Sequence, residues 1–121
     1  MVVTLGELVN ADQALARLAE QKLPIKVSWL LGKLVKRVRE EVAEFHTHRN
    51  AWIQELGQTE DGRTWTIEAG SSNQAEFTKR LSELVALEVE LAWVPLQVSA
   101  LGSIEVSVAD LIVLEPFLVE D

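Results

Sequence analysis

Residues 23–56 read LPIKVSWLLGKLVKRVREEVAEFHTHRNAWIQEL, an uninterrupted helical pattern covering roughly a quarter of the chain. Leu31, Val38, Phe45 and Trp52 recur seven apart, and Leu34, Val35 and Val42 fill the same face at helical spacing. Pro24 suits the opening turn, where its missing N–H has no partner to lose, and Gly57 suits a left-handed residue just past the end. A helix of about 32 residues, rising about 1.5 Å per residue, spans about 48 Å. That is long for a small domain, so the other segments must cover its apolar stripe.

Working outward toward the N-terminus, Thr4 and Glu7 form a T-x-x-E capping box. Behind it Leu5, Leu8, Val9, Leu15, Leu18 and Ala19 recur at three and four, predicting a helix to Gln21 in which Gly6 is the one flaw. The junction Gln21-Lys22-Leu23-Pro24 leaves room only for a tight turn, so the two helices are expected to pair antiparallel. Gly32, inside the long helix, costs up to about 1 kcal/mol against alanine, and close approach of a neighbouring segment would explain it.

Beyond the long helix the pattern changes. Gly57-Gln58-Thr59-Glu60-Asp61-Gly62 is turn chemistry. Arg63 to Glu68 alternates, with Trp65 and Ile67 on one face, and predicts a short strand. Asn73 with Glu76 offers a second capping box, and Phe77, Leu81, Leu84 and Val85 form the stripe of a third helix running to Glu88 or Glu90. Val89 to Trp93 reads as helix end or strand. Val94 to Ser99 looks extended, with Pro95 at an edge or strand start, and Ile104-Glu105-Val106 alternates again. Ser107 caps a short helix, Val108 to Leu114, stopped by Glu115-Pro116. The expected fold is a single α+β domain over residues 1–121. It has a long antiparallel helical hairpin, a third helix, a small two- or three-stranded sheet and a short C-terminal helix.

Composition narrows the chemistry. Hydrophobic residues make up 48% of 121, enough for a core, and there is no cysteine, hence no disulfide frame, thiolate metal site or thiol nucleophile. The opening residues do not read as a signal peptide, and no apolar run approaches the ~18 residues that span a bilayer, so a cytoplasmic protein without a membrane role is expected. Net charge is −8, unevenly placed. Residues 81–121 hold eight acids (Glu83, Glu88, Glu90, Glu105, Asp110, Glu115, Glu120, Asp121) and no base. Lys22, Lys26, Lys33, Lys36, Arg37 and Arg39 crowd the start of the long helix. Such a basic end could face an acidic partner such as nucleic acid. The favoured reading is that the acidic final third folds back toward it, since a net acidic domain repels phosphate.

No complete catalytic set emerges. Glu40-Glu41-Val42-Ala43-Glu44 resembles the E-E-x-x-E half of the magnesium site in all-helical nucleotide pyrophosphatases of the MazG type, and Glu41 and Glu44 share a helix face. The second pair, E-x-x-D, is missing: Asp12, Asp61, Asp110 and Asp121 follow Val9, Gln58, Ser107 and Leu118 by three. A divalent-metal nucleotide hydrolase is therefore the least favoured function. His46 and His48, two apart on a helix, point about 200° away from each other and cannot chelate together. A di-iron E-x-x-H motif is also missing, as are G-x-S-x-G, Walker and G-x-G-x-x-G strings. A non-enzymatic protein with no cofactor or metal is expected. Among the tryptophans, Trp52 and Trp65 read as core, whereas Trp29, next to the stripe beside Lys26 and Lys33, reads as a partially exposed contact residue. The apolar tail, with Leu111, Leu114 and Phe117 between flanking acids, either docks on its own domain or inserts into a partner or a second subunit.

Several strings resemble an uncharacterised family of small bacteriophage and prophage proteins. They are Val3 to Leu8, Lys22 to Val27, the Phe77 to Leu91 helix ending in Glu88-Val89-Glu90-Leu91, and Ser107 to Phe117. The likeness runs in matching order over nearly the whole chain; Arg63 to Glu68 and Trp93-Val94-Pro95 fall outside it. The resemblance implies a phage or prophage origin, in the host cytoplasm or the particle, and transfers no active site. The expected function is protein–protein contact or self-association, as in particle assembly. The alternative is a phage factor that binds and alters a host protein such as the transcription machinery.

Overall fold

The computed structural model describes residues 1–121. In chain order it contains β1 (Val2–Thr4), α1 (Leu5–Ala19), α2 (Ile25–Leu56), α3 (Ser72–Val85), β2 (Glu88–Glu90), β3 (Leu96–Gln97), α4 (Val108–Leu114) and β4 (Leu118–Val119). Short 3₁₀ turns occupy Val98–Leu101 and Glu115–Phe117. The architecture is α+β: the hairpin of α1 and α2, flanked by α3 and α4 and tied together by two small two-stranded sheets.

The Thr4 capping box forms as its spacing predicts. The Thr4 hydroxyl accepts from the Glu7 N–H at 3.2 Å, and the Glu7 carboxylate accepts from the Thr4 N–H at 2.9 Å. Along α1, Leu5, Leu8, Ala11, Ala14, Leu15 and Leu18 are buried. They pack on Val27, Leu31, Leu34, Val35, Val38, Val42 and Phe45 of α2, which is the stripe read from the sequence with Val27 added and Trp52 left out. Each fully buried leucine or valine contributes about 1.5–3 kcal/mol, so the α1–α2 seam is the main source of stability.

Glycine roles depart from the expectations. Gly57 has φ −97° rather than a left-handed value. A Cβ there would lie 2.4 Å from the Ile53 carbonyl oxygen and 2.9 Å from that of Thr66, so Gly57 is a close-approach glycine. Gly6 is another, with Val85 Cβ and O each 3.2 Å from its would-be Cβ; the apparent flaw in α1 is where the end of α3 crosses. Gly32, expected to admit a neighbour, has nothing within 4 Å.

The strand predictions need the largest corrections. Residues 63–68 form no strand, only a single antiparallel bridge between Gln58 and Thr66. Asp61 organises this loop instead, its carboxylate accepting from the Arg63 and Thr64 N–H groups at 2.8 Å each. The cap of α3 is Ser71, whose hydroxyl accepts from the Gln74 N–H, not Asn73. That helix stops at Val85, and Glu88–Glu90 becomes a strand, antiparallel to β1 with Val3 opposite Val89. β3 pairs in parallel with β4, Leu96 opposite Leu118, while Ile104 to Val106 joins no sheet. The Ser107 cap and α4 form as read.

All 20 buried residues are apolar, and no polar or charged side chain is among them. Every group able to move a proton or hold a metal therefore sits at or near the surface.

Candidate functional site

The surface of the first three turns of α2 stands out because it is both apolar and basic. Ile25, Trp29, Gly32 and Lys36 recur at four, three and four, so they form an outward line opposite the buried stripe. Ile25 is 87% exposed and Trp29 68%. Lys33 lies one turn beyond Trp29 with its ammonium 5.4 Å from the indole centroid, a cation–π pair that holds the ring against the helix. Leu30 and Lys33 also border a cleft of about 230 Å³ with Arg37, Leu91 and Trp93, and Val94 beside it is 82% exposed. Of the six bases from Lys22 to Arg39 only Arg37 forms an ion pair, to Glu41 on the same helix.

A second exposed apolar face lies on α4. Val108, Leu111 and Ile112 are 74%, 43% and 65% exposed, and with Glu115 they form an i, i+3, i+4, i+7 line. The opposite side of α4 is seated: Leu114 and the following Phe117 are each 1% exposed. Of the two alternatives for the tail, docking on its own domain is the one realised at Leu114 and Phe117, which as partner-contact candidates are withdrawn into the core. The tail docks on its own domain through them, and the Trp93 indole N–H donates to the Phe117 carbonyl at 3.2 Å. Leu111 stays on the outer face, as do Trp29 and Lys33.

The acidic final third reaches the basic start of α2 through Leu91 and Trp93, but none of its acids pairs with those bases. Asp110 is instead held by Arg17 of α1 in a two-pronged pair, Nε and Nη2 to the two carboxylate oxygens at 2.8 and 2.6 Å. Those hydrogen bonds from Arg17, with its charge and the Ser107 hydroxyl in support, hold the Asp110 carboxyl below the usual carboxylate range. A depressed carboxyl adds stability above its unfolded value, and that addition vanishes as pH falls through the folded one. Asp110→Asn should therefore cost stability at neutral pH and nothing in strong acid. Urea midpoints measured across pH test this; a gap that persists in strong acid would rule out the Arg17 pair as its source.

Other sequence candidates are not brought together. Glu41 is engaged by Arg37, and no three His, Asp or Glu side chains converge as a metal site requires. His48 lies against Trp52, ring centroids 5.9 Å apart. Trp52 and Trp65, read as core, are only half-buried. Arg80 covers Trp52 at 5.9 Å and pairs with Glu55 of α2 and with Glu76 on its own helix; both raise its pKa, and the Glu55 pair clamps α3 to the far half of α2. Trp93 is the tryptophan in the core, a role its place between Val89 and Pro95 did not reveal. Trp29 and Lys33 were named from the sequence, but the outer line with Ile25 was not; the four-three-four spacing of Ile25, Trp29, Gly32 and Lys36 is the signal that finds it. No helix is long and apolar enough to cross a membrane.

Comparison with protein-family models, curated proteins and solved structures found no match.

Proposed function

We propose that the protein acts by protein–protein contact, as a phage- or prophage-derived component in particle assembly. The observation that carries this reading is the outward line of α2. A tryptophan 68% exposed, beside an isoleucine 87% exposed and unpaired lysines, is a costly surface to keep in water. Tryptophan flanked by apolar and basic groups is the composition of an interface hot spot. The α4 face supplies a second such surface, and the buried Leu114 and Phe117 hold it rigidly in place. The phage origin rests on the order of the resembling strings, from Val3-Thr4-Leu5 to Glu115-Pro116-Phe117.

A tagged protein recovered from phage-producing cells should bring down phage structural proteins, and Trp29→Ala should reduce that yield about thirtyfold or more, as loss of a central tryptophan does. Trp29→Ala should leave thermal unfolding nearly unchanged, since the ring is exposed. Recovery of one dominant host protein would replace assembly by the host-directed reading. Binding unaffected by Trp29→Ala would remove the α2 surface as its basis.

A further inference from the structure

The two exposed apolar faces carry opposite charge and cannot satisfy each other within one chain. The line Ile25, Trp29, Gly32, Lys36 points away from α1, because the opposite side of α2 is the side buried against α1. The α4 face is fixed on α1 by Leu114 and by the Asp110–Arg17 pair, and shares a cleft with Val42 and His46 of α2, beyond the basic turns. Lys22, Lys26, Lys33, Lys36 and Arg39 form no ion pair, and neither do Glu105, Glu115 and Glu120 around α4.

We propose that α4 of one copy docks along the first turns of α2 of a second copy, head to tail. Val108, Leu111 and Ile112 lie on Ile25, Trp29 and the bare backbone at Gly32, while Glu105 and Glu115 meet Lys26, Lys33 and Lys36. This deepens the protein-contact reading above and rests on it. Three features select a second copy as the occupant. The spacing of Val108, Leu111, Ile112 and Glu115 is that of a helix laid into a groove. Charge is complementary, with no base after residue 80 and the bases crowded on α2. Gly32 also gains a reason: nothing in its own chain lies within 4 Å of its would-be Cβ, yet a glycine there lets another helix approach closely. A lipid or nucleic-acid surface fits less well, because Glu40 and Glu44 continue the helix beyond the bases and are exposed.

Two different surfaces in contact make the interface heterologous, so association extends into rings or filaments rather than stopping at a symmetric dimer. Sedimentation of the full chain should show mass rising with concentration at about 0.1 M salt. That rise should be suppressed at about 1 M, where the screening length falls from about 10 Å to about 3 Å. Trp29→Ala/Lys33→Glu and Ile112→Ser/Glu115→Lys, all at exposed positions, should each weaken self-association about thirtyfold or more. Mixed, the two variants should form a one-to-one dimer and nothing larger, since each retains one intact face. Gly32→Ala should weaken association while leaving the monomer at least as stable.

A dimer that survives in one double variant alone, or a mixture that stays monomeric, overturns the head-to-tail arrangement. A monomeric wild type at all concentrations overturns self-association, including the case where it binds anionic vesicles or nucleic acid through the α2 surface. If that monomer still captured a phage protein in a Trp29-dependent way, this inference would fail and the broader reading would stand.

Discussion

Phe117→Ala should lower the unfolding free energy by about 3–5 kcal/mol, the cost of deleting a fully buried aromatic ring and leaving its cavity. The ring is 1% exposed, and Trp93, Leu101 and Leu114 belong to the same core. Its carbonyl accepts the Trp93 indole N–H at 3.2 Å, so a shift of the backbone here also orphans the donor of a tryptophan that is 7% exposed. The adjoining pair of β3 and β4 contains only two residues on each side and has little to hold it once the ring is gone. Ile112→Ala, five residues earlier and 65% exposed, should stay within about 0.5 kcal/mol. Urea unfolding of both variants gives the comparison directly. A Phe117→Ala loss below about 1 kcal/mol would mean that the tail is not part of the core and that α4 is not held as described.

Gly57→Ala should cost about 1–3 kcal/mol, the range for forcing extra volume into a filled space. The cause is steric rather than conformational: φ of −97° is open to any residue, but the new methyl would lie 2.4 Å from the Ile53 oxygen and 2.9 Å from the Thr66 oxygen. Both neighbours are backbone, so neither can rotate aside. Relief requires breaking the Gly57 N–H to Ile53 bond at 2.8 Å, or opening the Gln58–Thr66 bridge that closes the 58–66 loop. Gly32→Ala is the matched control and should raise stability by up to about 1 kcal/mol, since its methyl would meet open space in a helix interior. Equal effects from the two substitutions would show that general helix propensity, and not the approach of Thr66, decides the cost at Gly57.

The helices, apart from the ends of α3, were legible because their information is local. The Thr4–Glu7 box, the Val38 and Phe45 stripe and the Ser107 cap each involve residues within a few turns of one another. The proposed interaction surface was half legible. Trp29 and Lys33 were singled out, though beside the buried stripe rather than opposite it, whereas Leu111, Leu114 and Phe117 share one apolar run whose two sides look alike until α1 covers one of them. The strands failed for the complementary reason. Arg63 to Glu68 alternates convincingly but finds one bridging partner, and Val2–Thr4 carries too few residues for alternation to register, yet pairs with Glu88–Glu90 more than eighty positions away.

By itself the sequence determined the helical hairpin, the caps at Thr4 and Ser107, the face of α2 that is buried and the absence of a cysteine or a complete metal motif. All of these follow from side-chain identity and a period of 3.6 residues, which bring the relevant groups together without help from the rest of the chain. Only the tertiary structure decided which strands pair, why Gly6 and Gly57 are glycines, which tryptophan enters the core and that Asp110 meets Arg17 rather than the bases of α2. Those outcomes depend on which distant segments compete for the same hydrogen bonds and the same apolar surface, and that competition is settled by the packing of the whole domain.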